Sequence, residues 1–150
     1  NSPRNIEIVD GYAYVANTGD NSISVVRLSD WVVVNTITVG NGPADIAIMD
    51  GYAYVTNIYG DSVSVVQLSD GVVVDTILVG NSPRNIEIVD GYAYVANLLG
   101  YTISVIMLSN ETVIDTIPAG NGPNTIEIVD GRAYVSNHYD NTVTVLEYQP

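Results

Sequence analysis

NSPRNIEIVDGYAYVAN, residues 1–17, returns letter for letter at residues 81–97. At a spacing of 40 it also returns as NGPADIAIMDGYAYVTN (41–57) and NGPNTIEIVDGRAYVSN (121–137). The stretch that follows repeats in step: SISVVRLSDWVVVNTITVG (22–40), SVSVVQLSDGVVVDTILVG (62–80) and TISVIMLSNETVIDTIPAG (102–120). No residue is inserted or lost over three units, and the fourth, 121–150, stops short of a full period. A fixed period of this length marks an architecture built by stacking one supersecondary unit.

Each unit divides into four strand-like runs, at 5–9, 12–17, 22–28 and 32–39 in the first. They are dense in Val, Ile, Thr and Tyr, whose branched or flat side chains suit a pleated, packed surface. Nowhere does the apolar spacing follow a helical period. Asp10-Gly11, with copies at 50–51, 90–91 and 130–131, predicts a two-residue hairpin needing positive φ. Ser-Asp or Ser-Asn at 29–30, 69–70 and 109–110 predicts the turn from third strand to fourth. Gly40-Asn41-Gly42-Pro43 and its copies carry the chain onward, where proline interrupts the ladder. Four antiparallel strands per 40 residues describe a propeller blade, so the expected fold is an all-β propeller or propeller segment over 1–150. Its blades are 1–40, 41–80, 81–120 and 121–150, three complete and the fourth three-stranded. A β-solenoid is the rival, but its coils are shorter and lack the tight Asp-Gly hairpin.

Tyr54-Val55-Thr56-Asn57, with Tyr14-Val15-Ala16-Asn17, Tyr94-Val95-Ala96-Asn97 and Tyr134-Val135-Ser136-Asn137, sits at the same place in every unit. With Pro-x-x-Ile-x-Ile-x-Asp-Gly before it and Ser-Val-x-x-Leu after, the pattern resembles the YVTN β-propeller repeat of surface-layer and secreted proteins. The resemblance covers essentially the whole chain. It departs at the first hairpin, where Val-Asp-Gly or Met-Asp-Gly stands in place of the usual Ser-Pro-Asp-Gly. It implies a first strand lining a central channel, a fourth strand at the outer edge, and rings of about seven blades. Four blades on this plan leave an open edge beside 142–148. Self-association or a longer parent chain is expected over a closed four-blade monomer.

The chain carries 17 acidic residues against four arginines and no lysine, a net charge of −13. Nucleic acid and anionic bilayers need cationic partners, so neither is an expected ligand. There is no cysteine, hence no thiolate nucleophile, disulfide or Cys-ligated metal. No stretch is apolar enough to span a bilayer, so no membrane insertion is expected. With Asn1 first and no leader pattern, the chain is expected to be a processed product or a piece of something longer.

Strand topology places the first-to-second and third-to-fourth turns on one face of the ring. That face collects Asp10, Asp30, Asp50, Asp70, Asp90, Glu111 and Asp130, residues suited to turns by bonding their own backbone. The other face carries the second-to-third loops, which vary where the strands do not. Ile58, Tyr59, Leu98, Leu99, Tyr101, His138 and Tyr139 would place large groups on its loop tips, as a contact surface or as loops folded back. Glu7, Glu87 and Glu127 recur on the innermost strand, with Ala47 in the second unit. Arg4 and Arg84 are expected to neutralise them, or a cation to bridge them. Trp31 fills a slot held elsewhere by Gly71 and Glu111, and is expected to cap the outer strand or touch a neighbour. Asn110-Glu111-Thr112 fits the N-glycosylation pattern, a common match.

His138 is the sole histidine, so a catalytic triad or a His-rich metal site is incomplete. No enzyme activity and no cofactor are expected. The leading expectation is a noncatalytic extracellular or cell-surface scaffold that binds protein partners and self-assembles. The alternatives are a propeller subunit of a periplasmic oxidoreductase, or a multivalent carbohydrate-binding module using pockets between blades.

Overall fold

Asp10 (φ 48°) and Gly11 (φ 80°) are both left-handed in the computed structural model, which describes residues 2–147, and the other three Asp-Gly pairs repeat this. Two positive φ values make the hairpin whose twist matches the flanking strands. The first blade comprises β1 (Pro3–Val9), β2 (Tyr12–Asn17), β3 (Ser22–Arg27) and β4 (Val32–Thr38). The second comprises β5 (Pro43–Met49), β6 (Tyr52–Asn57), β7 (Ser62–Gln67) and β8 (Val72–Leu78). The third comprises β9 (Pro83–Val89), β10 (Tyr92–Asn97), β11 (Thr102–Met107) and β12 (Thr112–Pro118). The fourth holds β13 (Pro123–Val129), β14 (Arg132–Asn137) and β15 (Thr142–Glu147). Each blade is its own antiparallel meander in chain order, so the all-β propeller layout of three four-stranded sheets and one three-stranded sheet is as expected. Pro3, Pro43, Pro83 and Pro123 open strands and Pro118 ends the outermost strand of the third blade, positions where the missing N–H costs little.

The turn between third and fourth strands is one residue longer than the Ser-Asp pair suggested. Its left-handed position is Trp31 (φ 63°), Gly71 (φ 70°) or Glu111 (φ 56°). Trp31 N–H bonds the Arg27 carbonyl at 2.9 Å, and Gly71 N–H bonds that of Gln67 likewise. Trp31 itself lies in solvent and caps nothing in this chain. Each third–fourth pair also contains a bulge, between Val25 and Val26 in the first blade.

The core lies between blades. Tyr14, Ala16, Ile23, Val25 and Ile37 of the first blade pack on Ile46, Ala53, Val55 and Val66 of the second. Equivalent clusters join the second blade to the third and the third to the fourth. Every sheet thus has one apolar face for the blade before it and another for the blade after it. The innermost strands pack in sequence, β1 on β5, β5 on β9 and β9 on β13, with no comparable contact between β13 and β1 among the described residues. The four blades form an open row.

Candidate functional site

The motif asparagines are fixed by the fold. Asn57 Nδ2 donates to Ser62 Oγ (3.1 Å) and Ser64 Oγ (3.0 Å), and Ser64 Oγ in turn accepts the Gly40 N–H (3.1 Å). Asn97, Thr102, Ser104 and Gly80 repeat the arrangement. This couples the second and third strands of one blade to the connection arriving from the previous blade. The glycine is required by closeness, since a Cβ at Gly80 would stand 2.5 Å from Asn97 Nδ2. Asn57, Asn97 and Asn137 are therefore structural, and so are Tyr14, Tyr54 and Tyr94; the repeated tyrosines suit packing between blades and these three are buried there, whereas Tyr134, on the uncovered face of the fourth blade, is exposed.

Towards the axis, the carboxylate of buried Asp45 joins successive first strands. Its oxygens accept N–H bonds from Ile46 (3.0 Å) and Ile86 (3.0 Å) and the Asn85 amide (2.6 Å). Asn85 Oδ1 then accepts the Ile126 N–H at 2.8 Å, continuing the ladder. Burial pushes the Asp45 pKa up, while these donors pull it down. Nothing local in the sequence announced this residue; the only signal was a carboxylate in a register row otherwise read Asn5, Asn85, Thr125.

The expected neutralisation of the inner glutamates is not found. Among the described residues no ion pair joins Arg4 or Arg84 to Glu7, Glu87 or Glu127; the Arg27–Asp30 pair, at 2.7 Å, is elsewhere and exposed. Arg4 and Arg84 instead border an open hollow of about 530 Å³ at the axial mouth, with Asn5, Asp45, Asn85 and Asn124. Burial raises the Glu7 pKa first, the Asp45 charge second. Glu87 is raised by burial, then by Glu127, Asp45 and Glu7. Arg4 and Arg84 stand three residues before Glu7 and Glu87 on the same strands, toward the connection face. Among the described residues no three carboxylate or imidazole groups converge to hold a metal ion.

On the turn face the seven acidic residues are exposed or, for Glu111, half-buried. Burial, and a hydrogen bond that the protonated Glu111 carboxyl gives to the carboxylate of Asp75 on the neighbouring blade, raise the Glu111 pKa. Thr112 Oγ1 donates to Asn110 Oδ1 at 2.7 Å, which orders the turn.

The variable loops divide into two sets. Ile58 and Leu98, expected at the tips, are buried. They are the first residue after the motif asparagine, and their N–H groups bond the Gly42 and Ser82 carbonyls of the inter-blade connection (2.8 and 2.9 Å); His138 makes the same bond to Gly122 (2.7 Å) on the last blade, where no further blade follows, and is exposed. Thr18 occupies the same place and donates to the Pro43 carbonyl. Tyr59, at 67% exposed, stands out, and Leu99, Tyr101 and Tyr139 are half-exposed. His138 is exposed and meets the Tyr139 ring edge-on, centroids 5.1 Å apart. One flank of Tyr59 lies on Gly42, where a Cβ would come within 2.5 Å of the ring, and Tyr139 lies on Gly122 in the same way. The loops with Gly19 and Leu99 in that place face Ser2 and Ser82 instead. Exposed apolar groups on a row of rigid frames can bind.

No protein-family model matches the chain, and no curated protein matches it in sequence. Solved structures share the fold. Hydrazine synthase of Kuenenia stuttgartiensis superimposes with a TM-score of 0.90 at 22% identity, over 97% of this chain and 46% of that one. A functionally unknown protein of Desulfotomaculum acetoxidans gives 0.79 at 20% identity, over 98% and 56%. The WD40 β-propeller domain of Doa1 gives 0.83 at 14% identity, over 99% and 50%. The chain therefore spans about half the length of these three.

Proposed function

We propose that this β-propeller chain, of the YVTN-repeat type, is a noncatalytic scaffold of the cell exterior or cell surface that binds protein partners and assembles with other chains. The carrying observation is the loop row, where Tyr59, Leu99, Tyr101 and Tyr139 stand out from successive blades. Side chains held out on a stiff frame lose little freedom on contact, and tyrosine carries a large share of interface energy. The acidic turn face opposes nonspecific adhesion to anionic surfaces. Placement outside the cell is supported by the likeness of the repeat to surface-layer and secreted proteins.

A photo-crosslinking group placed at position 59 or 139, with position 10 on the turn face as control, tests the reading. Partners are expected from the first two positions and not the third, and capture by a group placed at position 99 is expected to vanish when Tyr59 and Tyr139 are both changed to serine. Equal capture from both faces would overturn it. The oxidoreductase-subunit alternative draws on the likeness to hydrazine synthase, which carries the fold alone; a chromophore bound to the purified chain would be its sign.

A further inference from the structure

The two ends of the blade row present the two halves of an interface that the molecule already makes between its blades. We propose that a second copy of this chain docks head-to-tail, its first blade against the fourth blade of the other, and that two such junctions close a ring of two four-sheet chains. The proposal deepens the self-assembly suggested above and rests on that reading.

Ile46, Ile86 and Ile126, each facing the preceding blade, are 2%, 3% and 1% exposed, whereas Ile6 at the same position is 55% exposed. On the side facing the following blade, Ile23, Val63 and Ile103 are all 0% exposed and Val143 is 62% exposed. Position in the repeat and chemistry are the same; only the neighbour differs. Apolar surface of this kind is stabilised when removed from water.

The sequence states which neighbour fits. Residues 1–17 are those of 81–97, so the first blade offers outward the surface that the third sets against the second. The open face of the fourth blade follows the second: Tyr134, Ser136, Val143 and Val145 stand where the second has Tyr54, Thr56, Val63 and Val65. At those places the third blade has Ala96 and Ile103 in place of a hydroxyl residue and valine. Over the first three strands a fourth-to-first junction would therefore follow the second-to-third junction closely, with Val26 in the place of Ile106 and without the Ile77 that β8 adds there.

The hydroxyls give a finer match. Thr56 Oγ1 accepts the Asp45 N–H (3.0 Å), donates to the Asp45 carbonyl (3.5 Å), and reaches the Arg84 carbonyl of the next blade at 3.3 Å. Ser136 Oγ makes the first two contacts with Thr125, at 3.2 and 3.5 Å. The third would fall on Arg4 of the incoming copy, since Arg4 is the repeat equivalent of Arg84. Closure of one chain on itself would use the same faces, but among the described residues β13 and β1 do not pack as neighbouring first strands do. The solved propellers matched above are about twice this length, so one further copy supplies the remainder. A contact between two different faces of identical chains either closes or runs on, and half a ring per chain closes with two.

Sedimentation of the whole chain is expected to show a species at twice the 16.0 kDa chain mass. Ile6→Asp and Val145→Asp each alter a side chain exposed in the single chain, so the fold is retained, and each variant alone is expected at single-chain mass. An equal mixture of the two is expected to recover the two-chain species, because one junction of the mixed pair keeps both native faces. A wild-type chain that stays at single-chain mass at every concentration overturns the proposal, and so does pairing that survives either substitution alone. Failure of the mixture to recover pairing overturns it too. None of these outcomes touches the loop-tip crosslinks, so the scaffold reading stands or falls separately.

Discussion

Gly80 shows how much a single repeat position constrains. It has no side chain because Asn97, fully buried and bonded to Thr102 and Ser104, occupies the space a Cβ would need. Gly80→Ala is expected to cost about 1–3 kcal/mol through overpacking, read as a lower urea midpoint with unchanged slope. Trp31→Gly is expected to act in the opposite direction. Trp31 holds a left-handed backbone with its ring in solvent, so glycine should raise stability by roughly 0.5–1 kcal/mol in the same assay. The slot was visible in the sequence, because Gly71 fills it in the next unit, but its conformation was not. Asp-Gly pairs were readable because the turn type depends on two adjacent residues alone. Asp45 was not, because its partners Asn85 and Ile86 lie a whole blade away and are brought near only by the fanning of sheets.

Strands were legible to within a residue or two at their ends, since alternation of branched residues between fixed turns leaves little freedom. The bulges in the third–fourth pairs were not, because an extra residue on one strand changes no composition. Burial separates strands that sequence makes alike. Ile46→Ala on β5 is expected to cost about 2–5 kcal/mol, whereas Ile6→Ala on β1 should cost under about 1 kcal/mol in the single chain. Paired denaturation curves, recorded dilute enough to exclude association, check the contrast; equal losses would mean that the first blade is already covered. Loop tips were half legible. Variation marked the right loops, but it could not tell buried Ile58 from exposed Tyr59, because both are large apolar residues whose N–H groups bond the preceding connection.

For the molecule as a whole, charge sets the response to acid. Glu7, Asp45, Glu87 and Glu111 all have pKa values raised in the fold, burial being the leading cause each time. A raised carboxyl binds its proton more tightly folded than unfolded. Its contribution to stability is therefore fully present below the unfolded values of 4.5 and 3.8 and is lost as pH climbs through the folded ones. Asp30, lowered by its hydrogen bond to Arg27, works the other way but is exposed, where such pairs contribute little. The melting temperature is expected to rise as pH falls from neutrality toward the unfolded carboxyl range, and Asp45→Asn to flatten the rise. A melting temperature that falls over this interval would show that the low-pKa carboxylates dominate. The propeller layout was legible from the period alone. The openness of the row was not, because a repeat specifies the contact between neighbours and leaves the number of neighbours free.

That last property has an evolutionary reach. Since blades meet only the ones beside them, a gene that gains or loses whole units by unequal crossing-over keeps the existing contacts wherever the kinds of neighbouring units are unchanged. Serine-type and glycine-type units alternate here, as Ser2, Gly42, Ser82 and Gly122 record, so the natural step of growth or loss is a pair of units. Lineages descending from such an ancestor would be expected to differ in repeat number by twos.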